Sequence, residues 1–215
     1  MNVKTCHLCR ASRTIARLNF ADLRDTARHR RTLYTRSQYM AWTLPQQRSP
    51  ICKHPGWHLW RVFFDAMHCL DQGVLPLHNG STLWYLLLTQ QVWRSATRQG
   101  RCLEAHAEYS QFCKDNGITD IADSFDEQHI KTDSNAFPCL SHLKASEQRW
   151  LVYWIHSKLL TLPADPIQQL ITASYGGLIQ MDVVCRRNGR FLPDAEKDLL
   201  YDASKCSMSA TMHWH

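Results

Sequence analysis

The longest apolar run in these 215 residues, 83–88 (LWYLLL), falls far short of the roughly 20 residues that a membrane-crossing helix needs, so no span is expected. Residues 1–20 lack the continuous apolar stretch of a secretory signal. There is no internal repeat, no Gly/Ser linker and no block of five like charges, so nothing marks a clean domain boundary and only soft joints are expected. P-loop, G-x-G-x-x-G and G-x-S-x-G patterns are missing too, and Tyr175-Gly176-Gly177 lies in a helical stretch without their context. Strand signals are scarce: residues 127–131 (EQHIK) are the best of them, and no three-strand meander can be read ahead of Asp65.

What is present describes a folded, aromatic-rich chain. Hydrophobic residues make up 44%, with 8 Trp, 7 Tyr and 7 Phe, enough for a real core in one ordinary domain or two small ones. Nine cysteines are an odd number in a long chain with no secretion signal, so the thiols are read as mostly reduced and the protein as intracellular. Most of them are expected to pack as small apolar residues.

The expected fold class is mainly α. Residues 44–56 hold three of the eight prolines and divide a basic arm, 1–56, from a helical domain, 57–215. In the arm, Asn19 is a candidate N-cap for a cationic helix over 20–39. Gly73 and Pro76 are expected to interrupt the next apolar segment, with Ser81 or Thr82 starting a helix to about Arg98. A further helix over 103–116 would stop at Gly117. Leu143, Trp150, Leu151, Trp154, Ile155 and Leu159 recur at spacings of three and four, which predicts an amphipathic helix over 141–160. Two more are expected over 164–185 and 192–206.

The charge is uneven. Lys and Arg number 25 against 19 Asp and Glu, a formal net charge of +6. The first 36 residues hold nine Lys/Arg, among them Arg24, Arg28, Arg30, Arg31 and Arg36, against Asp22 and Asp25 alone. Such a surface can follow phosphates by releasing counterions, and Phe20, Tyr34 and Tyr39 could offer stacking faces; a solvated basic helix would read the same. Cys6 and Cys9 form a C-x-x-C, two soft ligands where structural zinc wants four; Cys52 and His54 are the candidate second pair, with His58 and His29 behind them. The plainer alternative is a turn carrying two thiols.

Asp65 and His68, three apart, share a helix face and could act as a hydrogen-bonded pair, as two ligands of one ion, or as a base with its orienting partner. With Met67, Gly73 and Val74 they make a D-x-M-H-x-L-x-x-G-V string that resembles the D-x-M-H region of CACTA (En/Spm-type) DDE transposases and related transposon-derived proteins. The C-x-x-C ahead of a basic aromatic helix and the L-K-A-S-E stretch at 143–147 follow in the order of that family, and the likeness covers about residues 6–160.

The resemblance implies an RNase H-like enzyme whose three carboxylates hold two Mg²⁺ ions for phosphodiester chemistry. It makes Glu147 the candidate third acid and Asp65 with His68 a supporting pair. It also puts the first two acids ahead of the C-x-x-C, where only five residues stand. The expectation is therefore a transposase-like helical fragment, central sheet largely absent, that contacts DNA, resides inside the cell with the nucleus included, and does not cut alone. Mg²⁺ would matter only with a complete centre. A zinc-stabilised helical binding module and a helical protein-interaction domain without metal or nucleic acid are the alternatives.

Overall fold

Thr35 and Gln38 open the first described helix, α1 (Arg36–Trp42), by exchanging hydrogen bonds. Thr35 Oγ1 accepts from the Gln38 N–H at 3.2 Å, and Gln38 Oε1 accepts from the Thr35 N–H at 3.0 Å. This capping box satisfies donors that a helix start otherwise leaves open. A computed structural model describes residues 28, 32, 34–42, 50–55, 57, 67–127, 130, 138–188 and 192–214. The expected helix over 20–39 is thus corrected, since Thr32, Tyr34 and Thr35 lie outside any helix. The chain divides into two units, Met1–Phe64 and Asp65–His215, a boundary beyond the proline-rich joint. In the first unit α1 is followed by a 3₁₀ turn, Pro50–Lys53.

In the second unit residues 67–89 form one uninterrupted helical run. Wide π-wound turns, Met67–Val74 and Tyr85–Thr89, flank an α-helical middle, α2 (Leu75–Trp84). Gly73 and Pro76 therefore do not break it, contrary to the sequence expectation. Pro76 stands where the wide π-wound turn passes into α2, and its carbonyl accepts from the Leu140 N–H at 3.0 Å. The run ends at Thr89, well short of Arg98, and Gln91 follows in the left-handed region at φ 47°.

α3 (Arg98–Asp115) is capped by Thr97, whose hydroxyl accepts from the Gly100 N–H at 3.0 Å. It stops at Gly117, φ +65°, as the sequence suggests. α4 (Ala145–Leu159), α5 (Pro166–Asn188) and α6 (Asp194–Trp214) complete the unit. Asp165 and Gln168 make a second reciprocal cap at the head of α5, at 2.8 and 3.3 Å. Ser174 meets Ser207 and Gly177 meets Ala203, so α5 and α6 run antiparallel. No strand occurs among the described residues; Glu127 lies in a turn, and Ile130 is a buried core residue in a bend. The mainly α class holds.

The core is aliphatic between α2, α4 and α5 and aromatic around α3. Tyr109, Phe125 and Trp154 are sealed, with ring centroids 5.4–5.8 Å apart, and Trp93 stacks on Trp154 at 6.1 Å. The amphipathic stripe of α4 is borne out, with Leu151, Trp154, Ile155 and Leu159 all buried. Each such aliphatic side chain contributes about 1.5–3 kcal/mol. Cys102 and Cys113 pack in this core; Cys185 and Cys206 are exposed, a correction to their expected burial.

Close backbone approach ties α2 to the segment before α4. A Cβ on Gly80 would stand 2.7 Å from the Pro138 carbonyl oxygen and 2.8 Å from Cys139 backbone atoms. Gly80→Ala should accordingly lower stability in urea unfolding by about 1–3 kcal/mol. Gly176→Ala, whose Cβ meets nothing nearer than His156 Nε2 at 3.8 Å, should leave stability unchanged or raise it by about 0.5–1 kcal/mol. Equal effects at the two glycines would sink the close-approach argument.

Candidate functional site

Two polar side chains on α2 point into the core that its apolar neighbours build. Asn79 is fully buried, and its Nδ2 donates to Gln148 Oε1 at 2.9 Å and to the Gln148 carbonyl at 3.0 Å. Gln148 Nε2, on α4, donates to the Leu140 carbonyl at 2.6 Å. From α5, the Tyr175 hydroxyl donates to Asn79 Oδ1 at 3.0 Å, and its ring stacks on His78 at 4.6 Å. Burial pushes the Tyr175 hydroxyl far above its usual range, so it stays a neutral donor. Ser174 Oγ then links His78 Nε2 at 3.2 Å to the Ser207 carbonyl on α6 at 3.2 Å. Ser174 and His78 have the chemistry of a nucleophile and base, yet both are sealed from solvent, so they act as a lock between helices rather than as a reactive pair.

A second cluster joins the first π-wound turn to α4 and α5. Asp71, 3% exposed, pairs with Arg149, which also lies 3.5 Å from Asp182 through Nε. Asp182 accepts from the Tyr153 hydroxyl at 2.7 Å and pairs with Arg186, whose guanidinium sits 4.9 Å above the Trp150 ring. Burial, and then the Asp182 carboxylate, push the Tyr153 hydroxyl up to about 12. Burial outweighs Arg149 at Asp71 and holds its carboxyl above the usual value. The cavity beside this cluster is about 20 Å³, room for a water molecule and no substrate.

Only some of the sequence candidates fall among the described residues. Asp65 and the side chain of His68 lie outside the described structure, and His68 contributes backbone to the π-wound turn. Glu147 is buried at the head of α4, where Oε2 accepts from the Lys144 N–H at 2.8 Å and Oε1 from Lys144 Nζ at 3.2 Å. That is a helix cap, and it raises the Lys144 ammonium above its ordinary value. A cavity of about 280 Å³ beside it also touches Asp123 and His142. Among the described residues no three His, Cys, Asp or Glu side chains converge as a metal would need. Cys52 is buried in the 3₁₀ turn and His54 is exposed, while Cys6, Cys9, His29 and His58 lie outside the described residues. Arg28 is exposed, Arg36 opens α1, and Arg24, Arg30 and Arg31 fall outside the described residues.

Sequence reasoning missed the whole polar lock and the Asp71 cluster. A local signal existed: His78-Asn79 interrupts an otherwise apolar helix face, and such residues need partners when buried. Their partners, 69 and 96 positions away, left none.

Unit boundary and charge coincide. Met1–Phe64 carries 12 Lys/Arg against 2 Asp/Glu, a net +10, whereas Asp65–His215 carries 13 against 17, a net −4. Among the described residues no helix is long and apolar enough to cross a membrane. The chain matches no protein-family model, no curated protein and no solved structure.

Two measurements test the buried polar groups. Asn79→Leu and Gln148→Leu should each cost about 2–3 kcal/mol by stranding the opposite amide. The double variant should recover about 1–2 kcal/mol of the summed loss; strict additivity would refute the coupling. At Asp71 the raised carboxyl means that the protonated form favours the fold. Its contribution is complete below about 3.8 and is lost as pH rises through the higher folded-state value. The stability of Asp71→Asn relative to the natural chain should therefore rise between about pH 4 and pH 7, and a flat difference would contradict it.

Proposed function

We propose that the chain is a transposon-derived helical protein that contacts nucleic-acid phosphates through its basic N-terminal unit. One observation carries the reading: 12 of 25 cationic side chains, and only 2 of 19 acids, fall before the boundary at Phe64/Asp65. Charge so segregated favours a polyanion on the first unit and disfavours it on the second. The D-x-M-H string and the L-K-A-S-E stretch supply the link to transposases. Binding rather than cleavage is the proposed role, because Glu147 is engaged as a helix cap and, among the described residues, no three His, Cys, Asp or Glu side chains converge as a two-metal centre needs.

The test is fluorescence anisotropy with duplex DNA and the full chain over a range of salt. The logarithm of the affinity should fall linearly with log salt at a slope of about −0.9 per neutralised phosphate. Replacing Arg28, Arg30 and Arg31 by Gln should flatten that slope by up to about 3 and weaken binding on all sequences alike. Binding that is absent, or indifferent to salt, would overturn the proposal.

A further inference from the structure

The C-terminal end of α4, the connection after it and one side of α5 border a cavity of about 500 Å³. That is the size of a small-molecule pocket, whereas the cavities described above hold a water molecule or are walled by charged groups. Small residues on α5 make the space. Within 4 Å a Cβ on Gly176 would meet only His156 Nε2, at 3.8 Å, and Ala173, one turn earlier, adds little bulk. Leu159, Leu160 and Leu162 supply apolar wall, and Leu160 remains largely exposed.

Two polar side chains of this wall are spent on the fold itself. Gln168 Nε2 donates to the Leu159 carbonyl and, at 3.3 Å, to the Leu162 carbonyl, while its Oε1 accepts from the Asp165 N–H. The Thr172 hydroxyl donates to the Gln168 carbonyl at 2.8 Å. These bonds pin the connection to α5 and keep the wall in place. The His156 imidazole differs, because neither ring nitrogen has a hydrogen-bond partner among the described residues. Partial burial holds the ring below the usual histidine value, so it is neutral at neutral pH.

No Asp, Glu, Lys or Arg lines the cavity, so a charged ligand would leave water without a counter-charge. A neutral imidazole has one nitrogen that donates and one that accepts, and a hydroxyl serves either. From the open space over Gly176 and the unpartnered imidazole across it, we infer that this cavity binds an uncharged apolar alcohol, its chain against the leucines and its hydroxyl on His156. The inference is independent of nucleic-acid binding and adds a ligand site to the second unit.

The experiment uses the full chain at neutral pH, with Nile red as an uncharged fluorescent reporter and 1-octanol or octanoate as competitor. The natural chain is compared with Gly176→Leu, Ala173→Leu and His156→Phe, with circular dichroism melting of each. Nile red should bind saturably, and octanol should displace it at a concentration at least about tenfold below that of octanoate. Gly176→Leu grows a side chain into the space and should weaken Nile red and octanol alike by at least about tenfold. Its melting temperature should hold or rise, since leucine favours a helix over glycine. Ala173→Leu, at an exposed position, fills the same space by a second route and should give the same loss. His156→Phe keeps a ring but no nitrogens; it should retain Nile red and weaken octanol by about two- to tenfold, the worth of one neutral hydrogen bond.

Absence of saturable binding overturns the inference. Affinity unchanged in both Leu variants overturns it too, by placing the ligand elsewhere. Octanoate that competes as well as octanol, or octanol affinity indifferent to His156→Phe, would remove the hydroxyl–imidazole pairing and with it the ligand class. None of these outcomes bears on the phosphate-binding role of the first unit.

Discussion

Two amide side chains shut away from water hold the second unit to a single arrangement. Asn79 and Gln148 have no solvent to turn to, so their donors and acceptors must find one another, the Leu140 carbonyl and the Tyr175 hydroxyl. Sliding α2 by one residue against α4 would leave several of these groups unpaired at once, each costing about 1–3 kcal/mol. Apolar contacts between the same helices tolerate such slippage far better, because a leucine is indifferent to which leucine it meets. The amides supply register, and the surrounding aliphatic core supplies most of the stabilisation. Gly80 completes the constraint by letting backbone reach backbone where any side chain would hold the segments apart.

Charged groups act at the edge of this arrangement. Asp71, Arg149, Asp182 and Arg186 alternate in sign across one π-wound turn and two helices, and Tyr153 contributes a donor to Asp182. The chain of contacts offsets only part of the desolvation cost, and at Asp71 burial still outweighs it. The Glu147 carboxylate follows the same logic on a smaller scale, serving the N-terminus of its own helix. An acid so engaged is poorly placed to leave its donors for a metal ion.

Features with local causes were readable in the sequence. The three-and-four spacing around Trp150 and Trp154 fixes which face of α4 is buried, and Gly117 marks the end of α3 because a left-handed residue is needed there. Where a distant contact decides the outcome, reading failed. Pro76 and Gly73 look like breaks, yet the helical run continues through both where a π-wound turn passes into α2, and the Pro76 carbonyl finds the Leu140 N–H, 64 positions on. Thr35-x-x-Gln38 was a legible cap that the continuous arginine pattern obscured. L-K-A-S-E suggests catalytic chemistry by its order along the chain, although Glu at the third helical position is also what a capped helix start looks like. The polar lock had one half visible, at His78-Asn79, and its partners became apparent only when three helices were brought together.

The opposite signs of the two units reach beyond recognition to the handling of the molecule. A polymer whose ends carry +10 and −4 has a modest overall valence but a large charge asymmetry along its contour. Scission near Phe64 would yield one piece retained by a cation exchanger and another by an anion exchanger at neutral pH. At low ionic strength the same asymmetry gives neighbouring copies an attraction of unlike surfaces, which dissolved salt abolishes within a Debye length of about 10 Å at 0.1 M.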